Sequence, residues 1–399
     1  MKFIRFYFFL TIAALSSVFG QQKVVLFNDT FAWYHWGCTG TSIALKEKIE
    51  SLGFDITSFP INETRSFKEI PPFESFDDPE CFNLFCENNK EAVEAIKNAD
   101  AIVITGEGTI HDVRDGPRAL FYLAHASKVF LGKHVEIINH SAYPKDDPAL
   151  SSNLLQYFGK ESAIQELARA QSIYKSAYAK LDFVAIRESF SLEEMEKIGV
   201  PAVLSFDCLP LYIRDHYHHP KQIKEKTLVL AGSVAYTESG ALQLCRYLDE
   251  TAQAGFKIKV LIGANAFPAK DDTAFVEFLT IHCKAPWELV NATSMDEWLD
   301  TINNATLLVS GRFHHSIAAF CLNTPFIALN SNTHKVHAIC SMMGEAEPLL
   351  YSDPNLFDQL NLRTKAFPSS VDNSEKTKLL CELAEKNFDG LRAIVEKAL

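Results

Sequence analysis

Residues 306–335, TLLVSGRFHHSIAAFCLNTPFIALNSNTHK, set a cationic and imidazole cluster between two apolar runs. Leu307-Leu308-Val309 and Phe326-Ile327-Ala328-Leu329 each have the length and composition of a short buried strand. Residues 313–322 between them read as a helix carrying the small side chains Ser316, Ala318 and Ala319. Such a β-α-β unit puts Arg312, His314 and His315 where the first strand gives way to the helix, and Lys335 just beyond the second strand. All of them then project from the carboxyl edge of a parallel sheet, where α/β proteins bind their ligands.

A guanidinium, imidazoles and an ammonium beside a helix amino terminus form a pocket for phosphate or carboxylate, because the free N–H groups and the helix dipole also favour negative charge. The chain as a whole carries a formal net charge of −12. The cationic site is therefore local, and the dispersed basic surface of a nucleic-acid-binding protein is absent. The alternative is that Arg312 pairs with a nearby carboxylate while the histidines fill ordinary surface or core positions.

With 399 residues, 47% of them hydrophobic, the chain is too long for one ordinary core and suits two α/β domains. Residues 1–20 open with Lys2 and Arg5, continue through an apolar run over 6–15, and offer Val18 and Gly20 at the −3 and −1 positions of a signal-peptidase site. They are expected to be a signal peptide, or an amino-terminal anchor tethering the protein to a membrane. Either places the chain in the secretory pathway or outside the cell: a Golgi lumen, a periplasm or the extracellular space. An oxidising compartment would then meet nine cysteines. Cys81 and Cys86 could form a local disulfide, whereas several others sit in apolar patterns that favour buried free thiols. No Cys-x-x-Cys pair offers a zinc knuckle. Glycosylation triplets start at Asn28, Asn62, Asn139, Asn291 and Asn304, of which Asn139 is expected inside the cleft.

Beyond residue 22 strands and helices alternate. Strands are expected at 24–27, 54–59, 101–105, 135–139, 183–186 and 203–206, with helices over 41–52, 90–97, 117–130, 162–180 and 191–198 and a polar loop over 60–79. This doubly wound pattern defines an amino-terminal domain over 23–208. A histidine- and proline-containing linker over 209–226 follows, with His216, His218 and His219 facing water. A second alternation over 227–350 has strands at 228–231, 257–262, 287–291, 306–309 and 326–329. The helical segment 351–399 ends in an amphipathic stretch, 376–399, that must dock on one or both halves.

Other sheet-edge loops carry polar chemistry. After the first strand, residues 36–42 (WGCTGTS) form a glycine- and hydroxyl-rich turn opening a helix, which could admit a substrate close to backbone N–H groups and makes Thr39 and Thr41 candidates; it matches neither a Walker loop nor a GxGxxG fingerprint. After the third strand, Gly106-Glu107-Gly108-Thr109-Ile110-His111-Asp112 combines glycines with proton-transfer and hydroxyl-binding groups, or serves as a capped turn. The fourth strand runs into Asn139-His140-Ser141 and the fifth into Arg187-Glu188-Ser189. Two such edges facing each other would enclose an interdomain cleft.

The order of GCTGTS, ITGEGTIHD, INHSAYP, AIRES followed by SLEEM, Asp207 after a strand, and SGRFHHSIAAFCLNTPFIAL leading to Lys335 resembles the polysaccharide pyruvyl transferase family over nearly the whole mature chain. Arg-x-His after a strand, followed by a small-residue helix and a Thr-Pro turn, is its most specific element. The resemblance implies a two-domain fold similar to glycosyltransferase type B and transfer of pyruvate from phosphoenolpyruvate onto a sugar diol of a glycan as a cyclic ketal. It also implies that Arg187, Arg312, His314 and Lys335 hold the family's functional positions, while His315 is an extra histidine without an assigned role.

The chemistry agrees with that implication. Phosphoenolpyruvate carries a phosphate and a carboxylate, which ask for several cations, and Arg187, Arg312 and Lys335 are the candidates. His314 is the leading acid/base residue, with His140 in reserve and Glu107 suited to orienting the diol. Gly106, Gly108 and Asp112 join Thr39 and Thr41 as candidate acceptor or cleft residues. No cofactor or metal is expected beyond the donor itself. A zinc set of His334, His337 and His314 is a weaker possibility. Two other classes stand beside this one: a nucleotide-sugar-dependent glycosyltransferase of the same architecture, and a non-catalytic glycan-binding protein, which would have lost the cations. Acceptor selectivity would lie in the 31–35 and 60–79 loops.

Overall fold

The structure, a computed structural model, describes residues 21–144, 152–232, 235–367 and 371–398; the expected signal segment 1–20 lies outside them. Both expected doubly wound sheets are present. The first contains β1 (Gln22–Asp29), β2 (Phe54–Pro60), β3 (Ala101–Thr105), β4 (His134–His140), β5 (Phe183–Ile186) and β6 (Val203–Leu204), in the order β2-β1-β3-β4-β5-β6. The second contains β7 (Thr227–Ala231), β8 (Lys257–Gly263), β9 (Trp287–Ala292), β10 (Leu307–Ser310) and β11 (Phe326–Ala328), in the order β11-β10-β7-β8-β9. Every neighbouring pair is parallel. Near-continuous apolar strands such as 101-AIVIT and 227-TLVLA, buried along their whole length, suit sheets covered by helices on both faces.

The strand orders locate the ligand crevices. In the first sheet the chain moves outward from β1 to β2 and then returns to place β3 on the other side of β1; in the second it runs β7-β8-β9 and then returns to place β10 beside β7. These reversals are topological switch points, at which loops diverge above the strand ends and leave an opening.

One apolar cluster runs through both halves. It combines Trp36, Leu45, Leu209 and Tyr212 with Trp298, Phe313, Ile317 and Leu380, so the cleft walls are fixed by a shared core. Much of the segment expected as a linker belongs to that core. Leu209–His216 is a helix, with Pro210 in its first turn and Leu209, Leu211 and Ile213 buried, and only the residues beyond it form an extended connection. His216, His218 and His219 are exposed, with His216 on Glu47 and His219 on Asp300.

Other elements differ in detail. Residues 36–42 are not a turn: they are the opening turns of the Trp36–Ser51 helix, and Gly37 and Gly40 serve close packing. The polar loop over 60–79 contains the short Ile61–Ser66 helix, and Pro79–Asn88 is a further helix. The expected closing helix is broken at Lys386–Phe388 into Ser374–Glu385 and Asp389–Ala398. The break inserts Asn387 beneath the first sheet, where it accepts from the Asn139 N–H and donates to the Phe206 carbonyl, each at 2.8 Å. Asn139 is accordingly sealed in the core and does not face the cleft. Among the described residues no helix is long and apolar enough to cross a membrane.

All nine thiols are free. The Cys81–Cys86 disulfide is excluded locally: both lie on the Pro79–Asn88 helix, where five residues advance about 7.5 Å along the axis, beyond the reach of roughly 7 Å between bridged Cα atoms. Cys245 and Cys283 are better placed. Their thiols contact each other, and Cys283 Sγ lies 3.9 Å from the Cys245 carbonyl oxygen. The hydrogen bond from Cys283 lowers the Cys245 pKa against the effect of burial, favouring the attacking thiolate. Treatment with oxidised glutathione is therefore expected to join this pair, checked by mass spectrometry of unreduced peptides. Free Cys245 and Cys283 after prolonged exposure would contradict the expectation.

Candidate active site

The switch points of the two sheets face each other across a cavity of about 250 Å³. Residues 33–35 and Cys38 beyond β1 and Glu107, Gly108 and His111 beyond β3 form one wall; residues 311–315 beyond β10 and Ser331, Asn332 and Lys335 beyond β11 form the other. Arg187 enters from the end of β5. Of the expected site residues, Glu107, Gly108, Arg187, Arg312, His314 and Lys335 thus line a single cavity.

His314 stands in the first turn of the Phe313–Cys321 helix. Its Nε2 lies 3.2 Å from Glu107 Oε1 and 3.4 Å from Asp207 Oδ2, while Nδ1 is 3.9 Å from Cys38 Sγ. Nε2 thus stands between two carboxylate acceptors without a well-aligned hydrogen bond to either. The carboxylates differ in environment. Glu107, which accepts from Thr30 Oγ1 at 2.7 Å, is pushed up by burial, an effect that His314 only partly offsets. Burial acts the same way on Asp207 but is overcome by His314, by Arg187 and by the Leu209 N–H, which hold its carboxyl well below the usual range. Asp207 also accepts from Thr41 Oγ1 at 2.9 Å and from Arg187 Nη1 at 2.8 Å. Asp207 is thereby kept ionised while Glu107 retains its proton more readily.

The cations divide by partner. Arg187 is buried against Asp207, with Ser141 Oγ 3.2 Å from its Nε and the Phe313 ring 4.3 Å away. Arg312 is held by the first turn of the Lys270–His282 helix: Nη2 lies 3.0 Å from Asp271 Oδ2, and Asp272 takes both Nε and Nη2. The carboxylate-paired alternative for Arg312 is therefore the observed one. Lys335 has no carboxylate within ion-pair reach among the described residues. Burial and then the Arg187 and Arg312 guanidiniums lower its pKa from 10.5 to about 8. His315, the histidine without an assigned role, accepts from the Trp298 indole N–H at 3.1 Å, and burial pushes its pKa down to about 3.

Several expected site residues lie elsewhere. His140 is sealed beneath the sheet edge, stacked on Tyr178 with its Nε2 3.0 Å from the phenol oxygen, and burial pushes its pKa to about 3. It cannot touch a substrate in the cleft. Thr39 Oγ1 donates to the Phe31 carbonyl and Thr41 serves Asp207, so both are positioning groups. At Gly106 a Cβ would meet the His140 Cβ at 2.5 Å; the glycine is needed for packing there. Asp112 pairs with Arg114 outside the cavity. Conversely, the sequence reading assigned no site role to Asp207, Cys38 or Arg65. The acidic residue shortly after the sixth strand, already among the motifs of the family resemblance, was the signal available for Asp207.

Cys38, Glu107 and His314 bring ligand atoms within 4.8 Å of one another, the arrangement a metal ion would need. Burial and the Glu107 carboxylate push the Cys38 thiol far up, so a metal here would have to displace that proton. His334 and His337 meet edge to face, and neither lines the cavity with His314.

Gly37 sets the position of the cluster. A Cβ on it would meet the His314 Cβ at 2.2 Å, so the helices at the domain boundary touch through this glycine. Gly37→Ala is expected to displace the imidazole and to reduce kcat on the order of 10²-fold, the usual effect of a misplacement of about 1 Å. Steady-state assays of the variant, with circular dichroism as a check on folding, would test this.

The two parallel α/β sheets facing each other across a cleft make a fold similar to the glycosyltransferase-B type. Sucrose-phosphate synthase from Thermosynechococcus elongatus has a similar structure (TM-score 0.57, 14% identity, 95% of this chain and 100% of that chain covered). So do S. aureus MnaA in complex with UDP (TM-score 0.52, 9% identity, 94% and 95% covered) and the glycotransferase of kitacinnamycin (TM-score 0.51, 10% identity, 94% and 98% covered). At such identities the likeness concerns the fold alone. No curated protein matches the sequence. The polysaccharide pyruvyl transferase family model matches residues 41–333, and the chain belongs to that family of transferases.

Proposed function

We propose that the protein transfers the pyruvyl group of phosphoenolpyruvate onto two hydroxyls of a glycan sugar, forming a cyclic ketal. The observation that carries this reading is the placement of His314 between two buried carboxyl groups, Glu107, which burial pushes up, and Asp207, which its partners hold down, in a cleft lined by cations. In the proposed sequence the imidazolium of His314 gives its Nε2 proton to C3 of the donor while C2 takes the oxygen of the first hydroxyl, whose proton returns to the imidazole. The C2–O bond to phosphate then breaks, phosphate leaves with that electron pair, and the second hydroxyl adds to C2 and loses its proton. The sum is ketal plus inorganic phosphate. His314 moves the protons at Nε2, Glu107 reloads it, and Asp207 stabilises the imidazolium. Segment 1–20 would direct this chemistry to an exported or lumenal compartment.

Incubation with phosphoenolpyruvate and a panel of glycans, followed by mass spectrometry, tests the reading. A product heavier than its acceptor by pyruvate less water is expected. Transfer of a sugar from a nucleotide sugar, with none from phosphoenolpyruvate, would favour the glycosyltransferase alternative.

Lys335 gives the reading a pH signature. Its folded pKa is depressed, so the ammonium that attracts the donor is present below about pH 8 and lost above it. Donor affinity is expected to fall as pH rises through that value. Because a bound anion favours the charged ammonium, binding near pH 8 should take up a proton, detectable by calorimetry in buffers of different ionisation enthalpy. Affinity that stays flat to pH 10 would remove Lys335 from the donor site.

A further inference from the structure

The loops at the mouth of the cleft carry aromatic side chains that the chemistry at His314 does not use. Phe31, Trp33 and Tyr34 follow β1 and Phe267 follows β8, so the rings come from both halves of the molecule. Trp33 and Tyr34 line the cavity itself. Tyr34 is 37% exposed, Phe31 39% and Phe267 85%, although burial in a core would be favourable for each. Exposed apolar groups gathered beside a polar cleft mark a binding surface.

These loops are braced. The Trp33 and Tyr34 rings pack together with centroids 4.2 Å apart. The Arg65 guanidinium lies 4.7 Å over the Trp33 ring and is itself tied to Thr109 Oγ1 at 3.1 Å. Lys46 lies 4.6 Å over the Phe31 ring, with its ammonium on Asp29. The two loops also meet across the domain boundary: Asn265 Nδ2 donates to the Phe31 carbonyl at 3.2 Å, and His35 Nδ1 stands 3.8 Å from Asp272 Oδ2. Side chains already held in this way lose little freedom when a ligand arrives.

A flat ring at such a place suits a pyranose. The C–H groups on one sugar face pack against the aromatic surface, while the hydroxyls at the sugar's edge stay free to bond and to react. A sugar seated on Tyr34 and Trp33 shares the cavity with His314, so its hydroxyl edge can reach the imidazole. The formal net charge of −12 opposes the approach of a polyanionic chain, which favours a neutral one.

Resting on the reading of the reaction above, we infer that Tyr34 and Trp33 form the platform for the acceptor sugar, a pyranose of a neutral glycan, and that Phe31 and Phe267 carry the neighbouring sugar units outside the cleft.

Saturation-transfer NMR of the full chain tests the inference. The probes are neutral oligosaccharides of galactose, mannose and N-acetylhexosamine, with acidic alginate oligosaccharides beside them, and KM values for acceptor and donor accompany the spectra. Wild type is expected to bind a neutral oligosaccharide with no donor present, with saturation strongest on the C–H protons of one pyranose face. Tyr34→Ala is expected to raise the acceptor KM roughly three- to tenfold, the worth of one aromatic contact, to leave the donor KM in place, and to be rescued by Tyr34→Phe. Phe267→Ala, which removes a side chain that folding leaves in water, is expected to raise the KM of long acceptors and to spare that of short ones. An unchanged acceptor KM in a folded Tyr34→Ala chain, a preference for alginate, or no neutral oligosaccharide bound by wild type would overturn the inference while the donor reading stands. Wild-type KM for long acceptors in Phe267→Ala would overturn its outer part. A chain that binds neutral oligosaccharides through Tyr34 yet forms no ketal from phosphoenolpyruvate would keep the platform and overturn the donor reading.

Discussion

His314→Ala is expected to lower turnover with phosphoenolpyruvate by about 10² to 10⁴-fold, the usual contribution of a positioned acid/base group, while the protein remains folded. The imidazole meets both Glu107 and Asp207, and its side chain borders the cleft, so water can fill the space that alanine leaves. The loss should appear in kcat more than in donor affinity, because the anion is held by other groups. Single-turnover rates with pre-bound donor would isolate the chemical step. A His314→Ala protein with wild-type kcat would remove the imidazole from the mechanism and leave Glu107 as the acid.

The largest effect on stability is expected at Asp207. Its carboxylate lies fully buried against the Arg187 guanidinium and accepts from Thr41 and the Leu209 N–H. Asp207→Asn keeps the shape but strands a buried positive charge, and breaking such a pair costs about 3–5 kcal/mol. The sign of the pH dependence follows from the depressed folded pKa: the contribution of Asp207 is present above its unfolded value near 3.8 and fades as pH falls further, toward the folded value. Denaturant melts should therefore separate wild type from variant most widely near neutral pH and bring them together in acid. A variant as stable as wild type at pH 7 would show that water, and not Asp207, compensates Arg187.

The fold was legible because its evidence is local. Buried strands such as Ala101–Thr105 announce themselves as short apolar runs, and once a β-α-β unit is recognised, the position of Arg312, His314 and Lys335 at a carboxyl edge follows from topology. What failed depends on distance or orientation. Asp272 lies 40 residues from Arg312, and no local pattern links them. His140 ends its strand beside the cleft, but its side chain turns under the sheet to Tyr178, an orientation that a strand end does not specify. The Leu209–His216 helix was hidden by Pro210 and its neighbouring histidines, although a proline in the first turn is a common helix start. Gly37 and Gly40 read as turn residues because their true partners, His314 on one side and Leu209 and Met295 on the other, belong to distant elements.

The central claim, that protons pass through the His314 cluster to a vinyl carbon and that C2 then becomes the ketal centre, can be read directly from one reaction run in deuterated water. Phosphoenolpyruvate and a reactive glycan acceptor should yield a ketal whose methyl group carries one deuterium, with inorganic phosphate released mole for mole. A ketal with an unlabelled methyl group, or phosphate released without any pyruvyl product, would contradict the account.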